Sequence, residues 1–133
     1  NPRVAEIPFD NDKLRYGEWN RESGYREVPY LLEKDITAIF CMNDSMAAGV
    51  YDFMYERGMA VGEDFSVVGY DNKDLSDYLR PRLTTNELPL KKIGREAAEI
   101  LLGFLGEEDR QLQGNDVIKI PCEMIYRESV LKV

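Results

Sequence analysis

Apolar side chains recur along this chain in two rhythms, and the alternation between them outlines the fold. Tyr25, Val28, Leu31 and Leu32 fall on one face at helical spacing, and Met46, Ala47, Val50, Phe53 and Met54 do the same. A third stripe, Ile93, Ala97, Ile100, Leu101 and Phe104, follows Pro89, a residue suited to opening a helix, and ends near Gly106 and the acidic Glu107-Glu108-Asp109. Between these stripes lie short continuous apolar runs. Ala38–Met42 and Ser66–Tyr70 have strand length, and unbroken apolar runs suit strands covered on both faces. Val4–Ile7, closed by Pro8, is a further short strand candidate, and Val117–Ile120 with Cys122–Tyr126 form a strand pair or one strand broken at Pro121. Pro29 is expected to kink the first helix or mark its boundary. The stretch from Lys73 to Thr85 reads as irregular, with one short helical turn at Asp74–Leu79 before Pro81.

Strand, helix, strand, helix, strand: this order predicts an α/β fold with a mainly parallel sheet flanked by helices. Such sheets bind ligands outside the carboxyl ends of their strands. Two of the strands end in an acid next to an amide, Asn43-Asp44 after Met42 and Asp71-Asn72 after Tyr70. Carboxylates accept hydrogen bonds while amides both donate and accept, a combination suited to a neutral ligand rich in hydroxyls. Trp19, the one tryptophan, lies in the polar stretch Tyr16–Asn20 and offers a plane for the apolar face of a sugar ring. Plainer roles fit these residues as well. Asn43 or Asp44 would cap the following helix, Asp71-Asn72 would make a turn, and Trp19 would be core.

Composition narrows the chemistry. The 133 residues carry a formal charge of −8, so their net field opposes a nucleic-acid backbone. There is no histidine, which removes the commonest metal ligand and the usual general base. No cofactor, metal site or catalytic residue is expected. Cys41 and Cys122 lie far apart in apolar stretches and read as buried free thiols of a reducing compartment. No apolar run approaches the roughly 18 residues of a membrane span.

Several stretches, in order, resemble the LacI/GalR family of transcriptional regulators. They are Gly17-Glu18-Trp19 with Ser23-Gly24-Tyr25, Thr37–Asp44 followed by Met46–Gly49, Val61–Asn72, Pro81-Arg82-Leu83-Thr84-Thr85, and the Arg127-Glu128-Ser129 ending. Together they cover nearly everything from Gly17 to Val130. The resemblance implies one lobe, plus a crossover helix, of a two-lobed fold like that of periplasmic sugar-binding proteins. By position, Trp19 would stack on a small-molecule effector, Asp71 would bind its polar edge, and Asn43 and Asp44 would lie at the same cleft. This lobe would comprise residues 1–85 and 115–133, with the 89–105 helix belonging to the other lobe. Met46, Leu75, Tyr78 and Leu79 become candidates for a homodimer interface. The family's DNA-binding headpiece has no counterpart in this sequence, and DNA would be contacted only through it. Leu88 stands where some sugar-responsive members carry glutamine.

The resemblance therefore implies the sensing domain of a cytoplasmic transcriptional regulator, with a sugar or sugar derivative as effector and no membrane partner. A sugar-binding protein of a transport system shares the fold and is the alternative. A glycoside hydrolase using Asp44 and Asp71 as its carboxylate pair is a third reading, from a different class. One physical consequence concerns the 90–105 helix. Burying each large apolar side chain of its stripe is worth roughly 1.5–3 kcal/mol. The stripe is accordingly expected to pack against this lobe or against another copy of the chain.

Overall fold

The computed structural model describes residues 8, 10–105 and 117–131. Helix α1, Arg21–Leu32, begins at Asn20, whose side chain accepts the Ser23 backbone N–H at 2.8 Å. It runs unbroken through Pro29, contrary to the expected kink. The proline stands in the last turn, so only the bond to the Tyr25 carbonyl is forfeited, and the buried Val28 anchors that turn in the core. Strand β1, Ala38–Phe40, leads to α2, Asp44–Glu56. Helix α2 ends at Arg57, with Gly58 in the left-handed region at φ 66°.

The two helices lie against each other over one face of the sheet. Gly49 allows the close approach, since a Cβ there would fall on the Arg21 carbonyl oxygen. Tyr25 meets Phe53 edge to face at 5.4 Å, and Arg21 pairs with Asp52 across the outer side. Beneath them Val28, Ile39, Ala47, Val50, Phe53, Met54, Val67 and Leu83 form the core.

Strand β2, Ser66–Asp71, is followed by the single-turn helix α3, Leu75–Tyr78, within the span expected to hold one turn. Strand β3 is Thr84–Glu87, helix α4 is Leu90–Leu105, and strand β4 is Met124–Ile125. The sheet order is β1-β2-β3-β4, parallel at the first two pairings and antiparallel at the last. Ile39 lies beside Val67, Gly69 beside Thr85, and Thr85 beside Ile125.

Four expectations need correction. Strand β1 is not covered on both faces: Ile39 is buried, while Phe40 and Met42 are 54% and 57% exposed. It is an edge strand, paired only with β2. Residues 84–87, read as irregular or unassigned, form β3. Its Thr-Thr-Asn-Glu sequence lacks apolar alternation because its buried threonines are satisfied by hydrogen bonds. Thr84 Oγ1 accepts the Arg127 N–H at 2.9 Å, and Thr85 Oγ1 donates to Asp44 at 2.6 Å. Val117–Ile120 carries no strand; only Met124 and Ile125 find a ladder partner. Cys41 is buried as expected, whereas Cys122 is partly exposed, where it accepts the Tyr70 hydroxyl at 3.1 Å.

The apolar stripe of α4 lies open. Ile93, Ala97, Ile100 and Leu101 are exposed, and nothing described covers them. The expected burial is therefore not met within one chain, and the Phe104 side chain lies outside the described residues. So do the strand candidate Val4–Ile7 and Gly106 with Glu107-Glu108-Asp109. Among the described residues no helix is long and apolar enough to cross a membrane.

Candidate functional site

The parallel strands β1, β2 and β3 deliver their carboxyl ends to one rim. Asn43 is the N-cap of α2: its Oδ1 accepts the Met46 N–H at 2.7 Å. Its Nδ2 donates to the Trp19 carbonyl at 3.0 Å, so the residue that starts the helix also ties down the Trp19 loop. Asp44, the first residue of α2, is fully buried. One carboxylate oxygen accepts the Thr85 hydroxyl at 2.6 Å, and the other accepts the Lys73 N–H at 2.7 Å. Gly69 makes room for it, since a Cβ at that position would collide with Asp44 Oδ1. Burial pushes the Asp44 carboxyl above the usual range and the Asp71 charge adds to this; the Thr85 and Lys73 hydrogen bonds work against it.

Asp71 closes β2 with φ at 108°, and Asn72 follows at 54°. Trp19 has φ at 60°. Residues other than glycine seldom adopt the left-handed region, asparagine and aspartate most readily among them, and a bulky residue such as tryptophan stays there only where the surroundings hold it. Three of the four non-glycine residues with positive φ among those described thus sit at this rim. The Asp71 side chain is 21% exposed and faces the Lys73 ammonium at 3.4 Å. The Trp19 residue is 65% exposed, which removes the core reading. Asn72 turns its carbonyl oxygen inward, accepting from Arg127 at 2.9 Å and from Ser76 at 3.4 Å.

The sequence-derived site residues are therefore neighbours, but they divide. Asn43 and Asp44 spend their polar atoms on Trp19, Met46, Thr85 and Lys73, inside the protein. Trp19 is largely exposed and Asp71 partly so, its carboxylate beside the Lys73 ammonium. Asp44 is a poor half of an acid–base pair, since neither oxygen is free of an internal donor. Of the interface candidates, Tyr78 is well exposed and Leu75 half-buried, while Met46 and Leu79 pack against this chain's own core. No cluster of His, Cys, Asp or Glu among the described residues is arranged to hold a metal.

Sequence reasoning named Thr85, Arg127 and Ser129 only as parts of stretches and gave them no role. Ser129 is fully buried, donating to the Val67 carbonyl at 2.6 Å and accepting the Thr84 N–H at 2.8 Å, which ties the C-terminal segment between β2 and β3. Small hydroxyl residues at strand positions, without apolar alternation, were the available signal.

The chain matches the family described as the periplasmic binding protein-like domain over residues 4–130. The HTH-type transcriptional repressor PurR of Haemophilus influenzae is 39% identical over 131 residues, which are 97% of this chain and 39% of that protein. The crystal structure of the Escherichia coli transcriptional repressor ascG superposes with a TM-score of 0.80 at 28% identity, covering 96% of this chain and 45% of that one. A LacI family transcriptional regulator from Enterococcus faecalis V583, with bound ribose, gives a TM-score of 0.77 at 32% identity, covering 88% of this chain and 43% of that one. The chain thus spans less than half the length of each. It belongs to the periplasmic-binding-protein-like domain family, in the form carried by LacI/GalR-type transcriptional regulators.

Proposed function

We propose that this chain is effector-sensing material of a transcriptional regulator and that the rim formed by Trp19 and Asp71 takes a sugar or sugar derivative. The observation that carries the reading is an exposed indole and a partly exposed carboxylate at the same rim, both at positive φ. An aromatic plane beside a hydrogen-bond acceptor suits a ring with an apolar face and a hydroxylated edge. The relative solved with ribose supports a sugar over other small molecules. Asn43 and Asp44 act from behind, holding the Trp19 loop and the turn after β2.

In the same reading the lobe comprises residues 1–85 and 115–133, and the 89–105 helix packs in a second lobe. The open apolar stripe of α4 supports that division. Effector would act by favouring one arrangement of the lobes over another, a coupling usually worth about 1–3 kcal/mol. DNA is contacted through a part of the protein outside this sequence, in the cytoplasm, as a homodimer in which Tyr78 and Leu75 contribute. The relatives are repressors rather than transport proteins or enzymes, which favours regulation.

The test is a titration of the chain with D-ribose and lactose, read by Trp19 fluorescence and by the thermal midpoint. A bound sugar at about 100 times its Kd raises stability by about 2.7 kcal/mol. Asp71→Asn is expected to weaken binding about tenfold, and Trp19→Phe to abolish the optical signal and reduce affinity. A sugar that binds both variants as tightly as the parent chain would remove the site from this rim.

A further inference from the structure

Arg127 lies just beyond β4, and its side chain is only 9% exposed. One guanidinium there ties separate parts of the fold together. Nη1 donates to the Leu83 carbonyl at 2.7 Å and to the Ser76 hydroxyl at 3.2 Å. Nη2 donates to Asn72 Oδ1 at 2.9 Å, and Nε faces the Asp77 carboxylate at 3.1 Å. The backbone N–H of the same residue donates to Thr84 Oγ1 at 2.9 Å. The entry to β3, helix α3 and the turn after β2 therefore meet on a single side chain. The planar fork of donors suits arginine to this task, and a lysine would reach only some of the partners.

The turn after β2 is the one that carries Asp71. Its conformation, φ 108° at Asp71 and 54° at Asn72, is uncommon outside glycine, though asparagine and aspartate adopt it more readily than other residues. Ser76 Oγ donates to Asn72 Oδ1 and the Asn72 N–H to Thr85 Oγ1, both at 3.4 Å, and two shorter holds join them. Asp44 accepts the Lys73 N–H on the inner side, and Arg127 grips the Asn72 side chain on the other. The first lies in the region read as ligand-facing from sequence. The second comes from a residue 55 positions away that makes no hydrogen bond to Asp71 or Trp19.

We infer that Arg127 is a positioning residue for the effector site: through Asn72 it holds the turn after β2 in its left-handed form and so places the Asp71 carboxylate at the rim. The inference rests on the reading of Asp71 as the effector's hydrogen-bond acceptor. Because the same guanidinium grips Ser76 and Asp77 of α3, the aim of Asp71 is also tied to the helix that carries Tyr78. Removing the charge leaves no buried ion behind, since the Asp77 side chain is 57% exposed and the other partners are neutral. Arg127→Gln thus strands no charge, and far-UV circular dichroism with the thermal midpoint checks that the variant is folded.

The experiment is a double-mutant cycle on D-ribose affinity in the full chain. Arg127→Gln is expected to weaken ribose binding about tenfold in the parent and less than about twofold in the Asp71→Asn background, because its effect passes through Asp71. Arg127→Lys should fall between. Arg82→Gln, which breaks the exposed pair with Glu128, should leave affinity unchanged. Equal losses in both backgrounds, or no loss at all, would overturn the inference. A parent chain that binds no ribose counts against the sugar reading, and the inference is then decided without ligand. Backbone amide couplings and Cα shifts of Asp71 and Asn72 should leave left-handed values in Arg127→Gln while those of Gly69 stay fixed; unchanged values at Asp71 and Asn72 overturn it.

Discussion

Asp44 shows how a residue chosen for ligand chemistry can serve the protein from within. Its carboxylate is desolvated, yet each oxygen has a donor, so the charge is tolerated rather than exposed. Burial raises its pKa above that of an unfolded aspartate, which fixes the sign of its contribution. As pH falls, the native state takes up this proton before the unfolded chain does. Stability withheld by the ionised group at neutral pH is regained as pH drops through the folded pKa, and the gain is complete below the unfolded value. Glu27 runs the other way: burial raises its carboxyl, but Arg26 and Arg15 more than reverse this. Its contribution is present above the unfolded pKa and lost as pH falls through the lowered one. Asp44→Asn separates the two. An asparagine can still accept the Lys73 N–H and donate to Thr85, without a charge to desolvate. The variant should therefore match or exceed the parent's thermal midpoint at neutral pH. Its advantage should shrink as pH falls from neutral towards the ordinary carboxyl range. A difference that stays constant across that range would mean Asp44 does not titrate there.

Among the elements, α2 and α4 carry equally clear apolar stripes but meet different fates. Met54 and Val50 of α2 are buried under α1 and against β2, while Leu101 of α4 is 62% exposed. Truncation should expose the contrast. Met54→Ala is expected to cost about 2–5 kcal/mol in urea unfolding, and Leu101→Ala within about 0.5 kcal/mol. A Leu101→Ala cost as large as that of Met54→Ala would mean that α4 is covered in solution. The same contrast shows what the sequence could disclose. Helical spacing of apolar residues located α1, α2 and α4, and a continuous apolar run located β2. Apolar patterning overlooked β3, whose Thr84 and Thr85 are buried by hydrogen bonding rather than by apolarity. It also assigned β1 two covered faces, because Ala38–Met42 is apolar throughout; which face finds a partner depends on elements distant in sequence. At the rim, strand ends picked out Asn43, Asp44 and Asp71, while Trp19 was singled out as the one tryptophan in a polar stretch. Which of them stay exposed was not readable, because that depends on Gly69, Thr85 and Lys73 meeting Asp44 across the sheet.

For the molecule as a whole, the formal charge of −8 bears on how a regulator could divide its labour. Binding to a duplex draws most of its free energy from cations that neutralise phosphates and release counterions, with log K falling linearly as log salt rises. Among the described residues, Arg15, Arg21, Arg26, Arg82 and Arg127 face carboxylates. Lys91, Lys92 and Arg95 gather near the start of α4, but Arg95 pairs with Glu99 one turn on, and the surplus is small beside the overall negative field. A domain of this kind can sense a neutral ligand at its rim without being drawn to nucleic acid, leaving DNA contact to another part of the protein. The chain alone should accordingly leave the fluorescence anisotropy of a labelled duplex unchanged even at about 50 mM salt, where electrostatic association is strong. Binding that appears there and weakens linearly with log salt would point to a basic face on this chain, and the division of labour would then fail on its electrostatic ground.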